Sequence, residues 1–183
     1  MERLLYPLNE FYEQSGLPLP SVVKIEGSDV PAPYRQLLVH KHDMTPTLKE
    51  AYQRKIHLRV LKYFVRAKVY SRQIVLLLED DTPVEFGAIK IYLEHFPPRA
   101  RRLILEKKQP LGTILHTQGI AHTSRPAAYI QVTADDVISD ALHLTAPCLL
   151  YGRRNMLFDS SQNVLAQIVE ILPPSSTSDR RVP

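Results

Sequence analysis

Residues 149–174, LLYGRRNMLFDSSQNVLAQIVEILPP, hold two apolar, strand-like runs on either side of Asp159-Ser160-Ser161-Gln162-Asn163. Those five residues offer side-chain hydrogen bonds to the backbone and tolerate left-handed conformations, so the stretch predicts a β-hairpin. Side chains alternate between the faces of a strand. Val164, Ala166, Ile168, Glu170 and Leu172 therefore share one face of the second strand, and Arg154 shares a face of the first with Leu150, Met156 and Phe158. A carboxylate or guanidinium in an apolar row needs a partner. Either Glu170 and Arg154 bridge each other or end in water, or both line an enclosed apolar pocket whose ligand completes them.

The same argument applies upstream. Residues 56–67 and 69–79 are rich in Val, Ile, Leu, Tyr and Phe and predict consecutive antiparallel strands; Asp80-Asp81-Thr82-Pro83 is a turn, and 84–93 is a third strand in which Gly87 marks a bulge or a close approach. In the middle strand Tyr70, Arg72, Ile74, Leu76 and Leu78 share a face, while Ser71, Gln73 and Glu79 lie on a face expected to be wetter. Arg72 either reaches the rim, bridges Glu170, or offers its planar fork to an anion.

Around these strands the chain alternates helices and corners. Residues 1–15 predict a short peripheral helix interrupted by Pro7, and the prolines at 18, 20, 31 and 33 predict a surface connection or lid over 16–33. Thr45-Pro46 opens a helix through Leu48, Ala51 and Tyr52; Pro97-Pro98 opens another over 99–108; Pro110-Leu111-Gly112 is a corner before the apolar stretch 114–116. Residues 128–132 predict a short strand, and Thr133-Ala134-Asp135-Asp136 caps a further helix. The order predicts an α+β fold: a single domain over 1–174, a largely antiparallel β-sheet with flanking helices enclosing a ligand pocket, and a disordered tail over 175–183.

With 44% hydrophobic and 23% charged residues, a chain of 183 residues supports one core. Its net charge of +4 is spread widely apart from Arg99, Arg101, Arg102, Lys107 and Lys108, a cluster interrupted by Glu106 and without aromatic interleaving. That pattern describes a solvated helix face, so no nucleic-acid partner is expected. A single cysteine, Cys148, excludes an internal disulfide framework and reads as structural. No signal peptide or membrane-spanning run is visible, and a soluble, cytoplasmic protein is expected. His40 and His42 alternate, but no third ligand lies at a metal-binding spacing, so no metal is expected. Phosphate loops, nucleophile elbows and calcium loops are absent.

Five short segments in order resemble the chorismate lyase family, also called 4-hydroxybenzoate synthases, in its distant cyanobacterial and plastid branch. They are Asp43-Met44-Thr45, Tyr70-Ser71-Arg72, Lys108-Gln109-Pro110-Leu111-Gly112, Tyr151-Gly152-Arg153-Arg154 and Val169-Glu170-Ile171-Leu172-Pro173. They span roughly residues 36 to 174, and Tyr151 stands where the enterobacterial branch has tryptophan. The resemblance implies an antiparallel sheet with a ligand held beneath flaps, and a carbon–oxygen lyase that converts chorismate to 4-hydroxybenzoate and pyruvate for quinone biosynthesis. On that view Arg72 holds the ring carboxylate, Glu170 faces the 4-hydroxyl, and Met44, Leu111 and Gly112 close over the ligand. Arg154 is the candidate for the enolpyruvyl carboxylate.

Such an elimination ends in an aromatic ring and asks chiefly for positioning and exclusion of water, so neither cofactor nor nucleophile is required. A monomer is expected. The same fold resembles effector-binding domains of transcription regulators, which makes a non-catalytic sensor of an aromatic carboxylate the alternative. The proline-broken residues before the matching region are too short for a helix-turn-helix, which favours the enzyme.

Overall fold

A computed structural model describes residues 4–175. The hairpin forms as expected, from β6 (Leu149–Phe158) and β7 (Val164–Leu172), with Asp159 accepting from the Asn163 backbone N–H at 2.8 Å across the turn. The meander comprises β2 (Ile56–Arg66), β3 (Val69–Leu78) and β4 (Pro83–Tyr92). Two further strands complete the sheet: β1 (Val22–Ile25), within the stretch expected to be irregular, and β5 (Thr123–Thr133), longer than its apolar centre suggests. Both gain regularity from pairing with each other, Val22 lying opposite Val132. All neighbours are antiparallel, in the order β1-β5-β6-β7-β4-β3-β2.

Helices cover both faces. On one side lie α1 (Leu8–Ser15) and α6 (Asp136–Leu142), packed on Val75, Leu77, Phe86 and Val169. Asp135 caps α6 by accepting from the Ile138 N–H at 2.9 Å, and accepts from the Tyr12 hydroxyl at 2.7 Å, which joins the two helices. This cover explains why Ser71 and Gln73, expected on a wetter face, are buried.

On the other side lie α2 (Tyr34–Leu38), α3 (Met44–Tyr52), α4 (Pro98–Leu105) and α5 (Leu111–Thr117). Two apolar clusters form there. One gathers α4 and α5 over Tyr70, Ile89, Leu157 and Ala166; the other gathers α2 and α3 over Ile74, Leu76, Leu78 and Leu172. Asp43, not Thr45, is the residue before α3, so that helix starts two residues earlier than its Thr-Pro signal. The Pro-Leu-Gly corner is the first turn of α5. Residues 176–183, most of the tail expected to be disordered, lie outside the described residues.

Gly87 sits between β3 and β7, opposite Ile74 on one side and Glu170 on the other. A methyl group there would fall well inside contact distance of the Val169 carbonyl, so the close approach expected at this glycine is real.

Candidate functional site: a buried polar cavity

Strand register brings the site together. Arg72 lies opposite Ile89, Ile89 opposite Ile168, and Ile168 opposite Asn155; in the adjacent row Ile74, Gly87, Glu170 and Arg153 follow one another across β3, β4, β7 and β6. Arg72, Glu85, Glu170, Arg153 and Asn155 thus occupy one face, at the seam between the two helix-covered clusters. The seam encloses a cavity of about 60 Å³. Leu58, Ile74, Leu76, Leu157 and Ile168 supply apolar wall, and Met44 and Leu111, the first residues of α3 and α5, close it from above.

Arg72 is 2% exposed. Its Nη2 donates to the Gln109 carbonyl at 3.2 Å, whereas Nε and Nη1 are buried with no hydrogen-bond partner. Burial lowers the guanidinium's proton affinity from its ordinary value, an effect that neighbouring Tyr70 opposes. The Tyr70 hydroxyl is also buried and, though it lies near enough to Arg72 to interact with it, makes no hydrogen bond of full geometry; burial raises its pKa against the charge and the weak hydrogen-bonding interaction of Arg72.

The arginine that meets Glu170 is Arg153. Its Nε donates to Glu170 Oε2 at 2.5 Å, and its other nitrogens donate to the carbonyls of Leu38 (3.3 Å), His40 (3.2 Å) and His42 (3.0 Å). Arg154, the residue expected in the pocket, points to the opposite face, where Nη2 donates to Gln167 Oε1 at 3.2 Å and the guanidinium lies 5.7 Å from the centre of the Tyr6 ring. Both faces of β6 are covered, so the more apolar row of the strand was not the row lining the cavity.

The histidine pair is absorbed into the frame around Arg153. His40 Nε2 lies 2.6 Å from the Leu37 carbonyl, while Nδ1 meets Arg153 Nη1 at 3.3 Å and the His42 N–H at 3.1 Å. This arrangement fits the neutral tautomer protonated on Nε2, and burial followed by the charge of Arg153 lowers the pKa of His40. Both ring nitrogens are already engaged with protein groups.

Three side chains at the site were not singled out by the sequence. Asn155 Nδ2 donates to Ser124 Oγ at 2.9 Å, which fixes the end of the cavity beside Arg72's row. Glu85 is 4% exposed, lines the cavity, and keeps Oε2 without a partner. Burial, reinforced by the charge of Glu170 and only partly offset by Arg153, drives its pKa far above the usual carboxylate range. Its signal was available: within residues 84–93 Glu85 alternates with Gly87, Ile89 and Ile91, a lone carboxyl in an apolar row. His122, the third, pairs with Asp43 at 2.8 Å and meets the Ile120 carbonyl through Nδ1 at 3.0 Å. The hydrogen bond to Asp43 raises its pKa.

Asp43, Thr45 and Gly112 border both the cavity and a more open cleft of about 440 Å³ between α3 and α5. These residues separate the cavity from the cleft, and the Asp43–His122 pair stands beside them. No helix among the described residues is long and apolar enough to cross a membrane.

No protein-family model and no curated protein matches the sequence. Solved structures do resemble the fold. PhnF from Mycobacterium smegmatis superposes with a TM-score of 0.59 at 14% identity, over 79% of this chain and 67% of that one; its effector domain alone gives 0.55 at 14% identity, over 71% and 87%. The ligand-binding domain of a candidate GntR-family transcriptional regulator from Bordetella bronchiseptica gives 0.50 at 13% identity, over 72% and 93%. The architecture, an α+β domain with a seven-stranded antiparallel sheet, is consistent with a chorismate lyase-like fold. The expectation of a carbon–oxygen lyase is corrected: the structural neighbours are regulator and effector- or ligand-binding domains, not lyases. Glu170, expected to face a substrate hydroxyl, lines the cavity and is paired with Arg153 through Oε2.

Proposed function

We propose that this chain is a non-catalytic binding domain for a small carboxylate with an apolar, aromatic body, that Arg72 receives the carboxylate, and that Met44 and Leu111 shift to admit a ring larger than the cavity of about 60 Å³. One observation carries the reading: a guanidinium buried to 2% exposure, facing a cavity, with Nε and Nη1 unpartnered. Leaving such donors unsatisfied is costly, and the residue types that would satisfy them in pairs are planar anions. Charge supports the same conclusion. Arg153 and Glu170 pair with each other, and among the described residues no carboxylate pairs with Arg72. Apolar walls and few polar groups suit a small molecule. The neighbours described as an effector domain and a ligand-binding domain support the class of function, and the resemblance of short motifs to the chorismate lyases is in keeping with an aromatic ring in the ligand.

A thermal-shift screen tests the reading by comparing benzoate and 4-hydroxybenzoate with benzamide and 4-hydroxybenzamide. The carboxylates raise Tm and their uncharged amides do not. Equal shifts from both sets, or none from the carboxylates, contradict it.

A further inference from the structure

Glu85 takes no part in the proposed hold on the carboxylate, yet it is only 4% exposed and its Oε2 has no partner. It sits on β4, opposite Leu76 of β3, inside the same cavity as Arg72. Among the described residues no cation pairs with it, and its Oε2 has no hydrogen-bond partner. The charged groups around the cavity are Glu170 on β7, Arg153 on β6, Arg72 on β3 and Asp43 before α3; α5 contributes only Pro110, Leu111 and Gly112. Arg153, the cation that would compensate it, is committed to Glu170 and to three carbonyls.

An ionised carboxylate in that position would be buried, unpaired and next to a second carboxylate, a combination that a carboxyl avoids by keeping its proton. The protonated acid is a donor as well as an acceptor. We propose that Glu85 is a ligand-binding hydrogen-bond donor, so that the cavity selects monoanions carrying a neutral oxygen acceptor, such as a ketone, away from the carboxylate that Arg72 holds. This rests on the carboxylate reading above and adds the chemistry of the ligand's other end. The raised pKa agrees with this state at neutral pH.

The competing occupant of the same geometry is a zwitterion, its ammonium group drawing the proton off Glu85. One panel separates the possibilities. Benzoate, 3- and 4-acetylbenzoate, 3- and 4-isopropylbenzoate and 4-(aminomethyl)benzoate are titrated calorimetrically into the wild type, Arg72→Ala, Glu85→Gln and Glu85→Leu. The acetyl and isopropyl compounds differ by an oxygen in place of a methyl. Wild type prefers at least one acetyl compound over its isopropyl counterpart by about tenfold, the size of one buried hydrogen bond. Glu85→Gln, which keeps a donor, retains the preference; Glu85→Leu loses it. Circular dichroism confirms that each variant is folded, and the Gln variant keeps the test decisive if Leu is not tolerated.

If benzoate binds through Arg72 but wild type shows no acetyl preference, this inference falls and the carboxylate reading stands. Preferential binding of the aminomethyl compound, with proton release, also overturns it, making Glu85 an ionised acceptor. If no carboxylate binds, or if Arg72→Ala binds them unchanged, the carboxylate reading fails and this inference with it.

Discussion

Arg153 Nε donates to Glu170 Oε2 at 2.5 Å, directly across the hairpin between β6 and β7, and neither side chain is more than 5% exposed. Removing one member of a buried pair strands the other charge, which typically costs about 3–5 kcal/mol. Glu170→Gln is therefore expected to lower the urea midpoint substantially. Arg153→Met lowers it further, because it also releases the carbonyls of Leu38, His40 and His42. Equal, sub-kilocalorie effects of both variants would show that the pair is not a structural centre.

Arg72 predicts the opposite sign. Its buried Nε and Nη1 lack partners, so the folded protein bears their desolvation without return when no ligand is bound. Arg72→Met keeps most of the volume, and should raise the Tm of ligand-free protein while abolishing carboxylate binding; each kcal/mol recovered is worth about 2–4 °C in a chain of this size. A calorimetric scan in which the variant melts well below wild type would mark Arg72 as a structural residue.

A pH dependence beside the cavity follows from His122. Asp43 raises its folded pKa above the unfolded 6.5, so the pair contributes its full stabilisation below that value and loses it as pH rises through the folded pKa. Wild type should therefore gain stability over His122→Gln on going from mildly alkaline to mildly acidic pH. His40 works in the other direction: its depressed pKa makes protonation costly, so its contribution is lost as pH falls below 6.5. Comparing unfolding midpoints of the two single variants across this range separates the contributions. A His122→Gln difference that is flat with pH would show that Asp43 does not hold a charged imidazole.

Gly87→Ala tests the sheet beneath the cavity. The added methyl meets the backbone oxygen of Val169, which cannot rotate away as a side chain would. The β4–β7 pairing has to open, and a loss of about 2 kcal/mol or more is expected in equilibrium unfolding. A neutral substitution would show that the two strands have slack at the row carrying Glu170.

Much of the architecture was legible from alternation and turns. The hairpin, the meander, the proline-opened helix α4 and the Asp135 cap follow local rules, and the inward faces of Arg72 and Glu170 follow from their rows. What escaped depends on tertiary pairing. A four-residue strand between prolines, Val22–Ile25, has no periodicity of its own and becomes a strand by pairing with β5. The choice between Arg153 and Arg154 failed because α1 and α6 cover one face of β6 and the cavity lies under the other, so polarity could not say which row faced a ligand. Asp43 and His122 are far apart in sequence and meet only because α3 and β5 converge. The short motifs that resemble lyases hold residues that line one cavity, whereas the balance of buried charge there needed the fold.

The central claim is that Arg72 Nε and Nη1 receive a carboxylate. The most direct measurement is the ¹H–¹⁵N resonance of the Arg72 side-chain Nε, assigned by its loss in Arg72→Met, during titration with 4-hydroxybenzoate. A saturable shift of that resonance, absent with 4-hydroxybenzamide, is the predicted result. Carboxylate binding that leaves the Arg72 resonance unmoved would contradict the account.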